Sequence, residues 1–300
     1  MKSVKCISSF IVQEFSLPET FDYSNVTSIL VTGCVDASLN FSSFSGSKKI
    51  SNIVVQNISG RLAFQPFAKL QKFRIFKLVR IRKILLIAPD TFPSFSNIEN
   101  FHIEDTWIEN FEDQFTNINV TYLKMKNVTI DRMIGMNLSE RGKCLTIHDS
   151  VIKSVQTTLN FAFFSKIDIR NSGFELQKPG HLSIEGNSAI VLNSVFTNVS
   201  MNLVASDITI NGSCADGKSS LRLSANRIES SHNRLPTEII YTRNLVPRDN
   251  DTDFPLIVNN TVCIAGNCKC PKSNGHNSYE RFHANIYLGM LLFFLVPGLL

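Results

Sequence analysis

Ile98-Glu99-Asn100-Phe101-His102-Ile103, followed by Val120-Thr121-Tyr122-Leu123-Lys124-Met125, is the passage on which the fold turns. Each hexad opens on an apolar residue, and apolar residues return at its fourth and sixth places. With one more apolar residue five positions later, the frame recurs from Phe76 to Phe174. Its copies are Phe76-Val79-Ile81-Leu86, Ile98-Phe101-Ile103-Ile108, Val120-Leu123-Met125-Ile130, Leu145-Ile147-Ile152 and Phe164-Ile167-Ile169-Phe174. Val79, Phe101, Leu123, Leu145 and Ile167 follow one another at 22-residue intervals. A fixed period of this size marks a solenoid, in which each coil buries its apolar face only by stacking on its neighbours. Alternation within each copy marks strands. The expected fold is therefore all-β, a parallel β-solenoid with coils of about 22 residues.

Working outward, Val26-Ile29-Val31 and Ile50-Ile53-Val55 fit the same frame at longer spacings. Extra residues in such coils belong in loops. Beyond Ile169 the rhythm shortens to Leu182-Ser183-Ile184, a strand-like Leu203 to Ile210, and Leu221-Arg222-Leu223. We assign 26–228 to the solenoid and 1–25 to a poorly defined N-terminus whose basic start makes a weak leader. Residues 229–272 read as an irregular cysteine-containing cap, with Leu256-Ile257-Val258 as a last strand.

Charged residues are 18% of the chain, below the roughly 25% of ordinary soluble domains, and the net charge of +5 does not by itself call for nucleic acid. Asn-x-Ser/Thr acceptors occur at Asn25, Asn40, Asn57, Asn119, Asn127, Asn137, Asn198, Asn211, Asn250 and Asn259, which points to a glycosylated secretory protein. Of the seven cysteines, Cys34, Cys144, Cys214, Cys263, Cys268 and Cys270 are disulfide candidates once Cys6 is set aside with a leader. The Cys263-Cys268-Cys270 cluster lacks zinc-site spacing and reads as a disulfide-tied cap.

Residues 286–300 are almost wholly apolar. Upstream lie the polar spacer 276–285 and the small residues Ser273-Asn274-Gly275. Small triplet, polar spacer and apolar tail together form a glycosylphosphatidylinositol attachment signal, with Ser273 the first choice for the lipid and Asn274 the second. Residues 273–300 are assigned to it. This places the protein at the outer leaflet of the plasma membrane. A short tail anchor is the alternative.

Side-chain alternation predicts two outward columns on the solenoid: Arg80, His102, Lys124, Thr146, Asp168 and Ser183, and Arg82, Glu104, Lys126, His148, Arg170 and Glu185. Both are polar and mixed in sign. They form the candidate binding face, because solenoids present extended surfaces of this kind. A basic run from Lys69 to Lys83 is expected to pair with the next coil, Lys77 with Glu99, Arg82 with Glu104 and Lys83 with Asp105. Gly212-x-x-x-x-Gly217-Lys218-Ser219 matches a phosphate-binding loop in letters. The following Leu221-Arg222-Leu223-Ser224-Ala225-Asn226 alternates like a strand, whereas that loop must open a helix. We therefore expect no nucleotide, and no cofactor, metal or nucleic acid. No hydrolase elbow or zinc-protease motif occurs. Asp168, Glu185 and Arg170 leave a polysaccharide-cleaving enzyme as the second functional class.

The two opening hexads, the first preceded by Pro89-Asp90-Thr91-Phe92, resemble extracellular leucine-rich repeats. That family places Asn five positions after the first strand residue. Here those places hold Ile84, Thr106, Val128, Ser150 and Ser172, while Asp105, Asn127, Asp149 and Asn171 sit one place earlier, as suits a turn out of a strand. A right-handed parallel β-helix is accordingly preferred, with an irregular leucine-rich-repeat solenoid as the alternative. The resemblance to lipid-anchored surface glycoproteins of these classes implies binding or adhesion to an extracellular protein or glycan.

Overall fold

The computed structural model describes residues 2–5, 14–16, 22–40, 49–67, 72–116, 118–138, 142–236, 239–243, 256–263 and 270. They form a parallel β-solenoid of about nine turns with no helix among them. Asn250, Cys268, Ser273, Asn274 and the remainder of 273–300 lie outside the described residues.

Three sheets run along the solenoid. The first carries the 22-residue repeat. Its inward residues stack in register as Ile29, Ile53, Phe76, Phe101, Leu123, Leu145, Ile167, Ala189, Ile208 and Ile228. All are buried. The second sheet stacks Leu62, Ile84, Ile108, Ile130, Ile152, Phe174 and Phe196. The third is built from later coils and stacks Met136, Leu159, Leu182, Met201 and Leu221. In earlier coils loops close this side, and Phe92 and Phe115 fill it from within. Their rings meet at 5.4 Å, and each also contacts Phe101. A leucine-rich repeat places one strand on each coil, beside a helix or 3₁₀ turn. Strands on second and third sides set this chain apart from that architecture.

The corner between the first and second sheets repeats in every coil. Asn57, Arg80, Asp105, Asn127, Asp149, Asn171 and Asn193 all sit there with φ between 48° and 57°. Gly33 and Gly212 take the same corner, at φ 74° and 61°. Ordinary L-residues pay about 1–2 kcal/mol for left-handed backbone, and Asn, Asp and Gly tolerate it best. The turn residues read one place early in the leucine-rich-repeat frame are these corner residues. Their side chains form a ladder: Asn127 Nδ2 donates to Asp105 at 2.7 Å, Asn171 Nδ2 to Asp149 at 3.0 Å, and Arg80 Nε to Asn57 at 2.7 Å.

Immediately after the corner comes a buried hydroxyl. The backbone N–H of Val128 donates to Ser150 Oγ, that of Ser150 to Ser172 Oγ, that of Ser172 to Ser194 Oγ, and that of Ser194 to Ser213 Oγ, at 3.1–3.3 Å. Each hydroxyl in turn donates to the carbonyl two residues back, from Ser150 to His148 at 2.7 Å and from Ser172 to Arg170 at 2.8 Å. From Val128 onward the buried N–H at this corner thus finds its acceptor on the next coil, and the hydroxyl that accepts it donates in turn to a backbone carbonyl.

Three expectations are corrected. First, Phe76, not Val79, stands under Phe101, and Val79 stands under Glu104. This coil spans 25 positions at Phe76 (101 − 76) and, after a one-residue register shift between Ile81 and Ile84, 24 at Ile84 (108 − 84), so it is longer than the 22-residue period throughout. Second, the rhythm shortens one coil later than expected: Ala189 follows Ile167 at 22 residues, and only then do Ile208 and Ile228 follow at 19 and 20. Ala189-Ile190-Val191 continues the first sheet, while Leu182-Ser183-Ile184 belongs to the third. Third, parallel stacking extends beyond 26–228 at both ends: Lys2–Lys5 pairs with the 28–32 strand, and Arg234–Pro236 pairs with Thr261–Cys263. Leu256–Val258 is a strand, paired with Glu229–Ser231.

Cys214 bonds to Cys270, with S–S at 1.99 Å, and Cys34 and Cys263 are also disulfide-bonded. Cys144 is a free thiol on the outer face of the first sheet, so it leaves the disulfide candidates.

Replacing Ser172 by Ala strands the buried Ser150 N–H. We expect a loss of about 1–3 kcal/mol in urea unfolding. Exposed Ser165→Ala, in the same coil, is expected to change stability by less than about 0.5 kcal/mol.

Candidate functional site

The outer face of the first sheet runs in register from Ser28–Thr32 to Arg227–Ser231. Strand register sets its columns. One runs Lys77, His102, Lys124, Thr146, Asp168, Ile190 and Thr209. The next runs Val79, Glu104, Lys126, His148, Arg170, Leu192 and Asn211. His102, Lys124, Thr146 and Asp168, and Glu104, Lys126, His148 and Arg170, are therefore brought together as the period requires. Four expected members are not. Arg80 is a corner residue, Arg82 lies past the corner before the second sheet, and Ser183 and Glu185 lie on the third sheet. The one-coil register error at Phe76 misplaced the first two, and the missed Ala189 coil the last two. Sequence reasoning missed Lys77 on this face for the same reason.

Charge pairing within the face is local. His102 Nε2 lies 2.9 Å from Glu104 Oε2, a contact that is an ion pair only when the imidazole is protonated. Lys126 Nζ is 3.6 Å from the other oxygen of Glu104. Partial burial lowers the proton affinity of His102, and the positive charges of Lys77 and Lys124 lower it further, against the pull of Glu104. Burial would raise the Glu104 carboxyl, but His102, Lys124 and Lys126 outweigh it and hold it below its ordinary value.

Asp168 is 8% exposed. Arg170 grips it through Nε at 2.6 Å and Nη2 at 3.0 Å, and His148 Nε2 stands 3.4 Å away. Burial again acts upward, and the hydrogen bonds and charge of Arg170, with His148 beside it, overcome it, leaving the Asp168 carboxyl depressed. Both carboxylates of the central face are thus fixed in the charged state. The pairs expected from the basic run, Lys77 with Glu99 and Arg82 with Glu104, do not form in this register. Lys83 pairs with Glu109 at 2.6 Å instead of Asp105. It also lies 4.5 Å from the Trp107 ring, whose Nε1 donates to Asp131 at 2.6 Å.

Away from this face, Asp113 is buried in the loop side of its coil. It accepts the backbone N–H of Phe92 and of Phe115, both at 2.8 Å. Burial pushes its carboxyl up to about 6. The Gly212–Ser219 stretch meets no helix. Gly212 is a corner residue, and Ser220–Ala225 is a strand. Among the described residues no group of three or more His, Cys, Asp or Glu is arranged to hold a metal.

Of the Asn-x-Ser/Thr acceptors, Asn25, Asn57, Asn211 and Asn259 are exposed. Asn40, Asn119, Asn127, Asn137 and Asn198 are half-buried, and Asn198 Nδ2 donates to the Leu176 carbonyl at 2.7 Å, a bond that a sugar on that nitrogen would disturb.

The chain matches no protein-family profile, and no curated protein or solved structure matches it either. Among the described residues no helix is long and apolar enough to cross a membrane.

Two pH signatures follow. The unfolded chain protonates His102 more readily than the folded one, so stability from its neutral form is present above about pH 6.5 and falls as pH drops below it. His102→Gln should remove that fall in urea midpoints measured between pH 7 and 5. Asp113 acts the other way: its folded carboxyl holds the proton to about 6 and the unfolded one only to about 4, so its contribution declines as pH rises through that window. Asp113→Asn should flatten that part of the profile. It should also destabilise at pH 7 by about 1–3 kcal/mol, since an amide oxygen cannot replace two carboxylate acceptors.

Proposed function

We propose that this chain is a non-enzymatic cell-surface glycoprotein that presents the outer face of its first sheet to an extracellular partner. One observation carries the reading: the carboxylates on that face are already spoken for. Glu104 is engaged by His102 and Lys126, and Asp168 by Arg170 and His148. Hydrolysis of a glycosidic bond needs two carboxyl groups roughly 5–10 Å apart across the substrate, one of them able to carry a proton. Asp168 is held ionised, and Glu185, the partner it would need, belongs to the third sheet. A flat, self-paired polar face suits recognition better than cleavage, which weakens the polysaccharide-hydrolase alternative.

The Asn-x-Ser/Thr acceptors support passage through the secretory pathway. The Ser273-Asn274-Gly275 triplet, its polar spacer and the apolar tail support a lipid anchor at the outer leaflet of the plasma membrane. On this reading the protein works without cofactor, nucleotide or metal, and its partner is a protein or a glycan.

The chain should be expressed with a secretory leader in animal cells, and intact cells treated with phosphatidylinositol-specific phospholipase C. We expect release of a protein whose mass falls on enzymatic removal of Asn-linked sugars. An unglycosylated cytosolic product would overturn the proposal. A glycosylated product that stays on the cell after the phospholipase would overturn the lipid anchor alone.

A further inference from the structure

We propose that the basic part of the first-sheet face, centred on Lys124, Lys126, Lys143 and Lys166, is a binding site for a sulfated glycan. The inference rests on the surface-glycoprotein reading and names the partner class for the same face.

These four lysines come from three consecutive coils. Register places Tyr122, Cys144 and Lys166 in one column, and Lys124, Thr146 and Asp168 in the next. Adjacent strands are about 4.8 Å apart, and alternate residues along a strand about 6.6 Å. The ammonium groups therefore spread over a patch about 10 Å by 15 Å. Lys126, Lys143 and Lys166 are exposed and Lys124 is half-buried. Lys77 extends the patch by two coils, with His102 between it and Lys124.

Among the described residues the balance of charge on the patch is positive. Three described carboxylates reach it. Glu104 and Asp168 are engaged as described above. Glu99 occupies the place equivalent to Lys143 two coils away, with Thr121 between. Lys124, Lys143 and Lys166 make no ion pair with any described carboxylate. Three adjacent lysines without ion-pair partners on one surface repel one another, and a polyanion laid across them relieves that repulsion.

The chemistry of the donors narrows the polyanion. A phosphate monoester is held best by planar guanidinium forks or by a nest of backbone N–H groups at a helix start. Among the described residues of this patch the only guanidinium, Arg170, is committed to Asp168, the left-handed backbone lies at the corner, and no described helix exists. Lysines are point charges on flexible stems, suited to sulfates spaced along a chain. Tyr122 lies among them, partly exposed, with Lys143 Nζ 5.8 Å from its ring. An aromatic face beside cations gives a sugar ring an apolar surface to lie on while its sulfates reach the ammonium groups.

The test uses the phospholipase-released protein on immobilised heparin, with chemically desulfated heparin and phosphatidylserine vesicles as comparison surfaces. We expect salt-sensitive binding to heparin, at least about tenfold weaker on the desulfated chain. Lys124→Gln/Lys126→Gln/Lys143→Gln/Lys166→Gln should weaken heparin binding by about tenfold or more at physiological salt. It should also lower the slope of log Kd against log salt by about two to four. Lys178→Gln/Lys218→Gln, on exposed lysines elsewhere, should change neither. An unchanged thermal midpoint of the quadruple variant shows that it folds. Equal heparin binding by the quadruple variant, equal binding to desulfated heparin or vesicles, or no heparin binding by the wild type each overturns the inference. If the chain is displayed and glycosylated on cells while heparin fails, only the sulfated-glycan inference falls. A chain that never reaches the surface removes the reading beneath it as well.

Discussion

A coiled backbone that turns a corner inside its own core must find an acceptor for every N–H it turns inward, and here the acceptor lies on the next coil. Ser150, Ser172, Ser194 and Ser213 each receive the N–H of the coil before. Asn233 then takes over, accepting from Ser213 at 2.8 Å, and Asn260 accepts from Asn233 at 2.9 Å. A hydrogen bond tolerates only a few tenths of an ångström, so from Val128 onward this corner keeps successive coils in register. Coil length still varies: successive partners are separated by 22, 22, 19 and 20 residues. Part of the slack is taken up just past the corner in early coils, at Ile58–Arg61 and Ile81–Ile84, and part on either flank of the third sheet, at Phe161–Phe164 and Glu175–Gly180, in later ones. The left-handed corner, the flat first sheet and the alignment of its outward columns all depend on that constraint.

The face inherits its chemistry from this regularity. Because register is preserved, a residue type recurring at the period becomes a column, and charges of opposite sign on neighbouring columns meet. Glu104 and Asp168 are both captured in this way by cations one or two positions away on their own or adjacent coils. Such captured carboxylates are poor acids and poor bases, while lysines in excess of them remain to meet something else. Electrostatics on this surface therefore point toward recognition and away from bond cleavage.

Much of this was legible in the sequence, and the reasons for the failures are specific. The 22-residue recurrence of Phe101, Leu123, Leu145 and Ile167 predicts their stacking correctly, because the coils from Asn97 to Arg170 are free of inserted residues at that side. The error at Val79 arises because Phe76 and Val79 are both apolar and in frame; only the greater length of this coil, 25 residues at that side, decides between them. Ala189 was overlooked because a small residue gives a weak apolar signal, although Ile190 and Val191 beside it made the strand. The corner was visible as Asp105, Asn127, Asp149 and Asn171. The serine ladder one residue later was seen only as the absence of the Asn expected from leucine-rich repeats. A polar residue at a buried, periodic place was the signal, and Ser150 and Ser172 carried it.

The three-sided coil also sets a law of growth. A globular core enlarges in three dimensions and soon outruns the surface available to wrap it. This core keeps its cross-section and lengthens by about 4.8 Å with each added coil of about 22 residues. Its outward columns lengthen in step, by one side chain per column per coil. The number of contacts such a rod can offer a long, repetitive ligand is therefore proportional to the number of coils. A gene encoding it could tune avidity by duplicating a unit, without redesigning either the interior or the face.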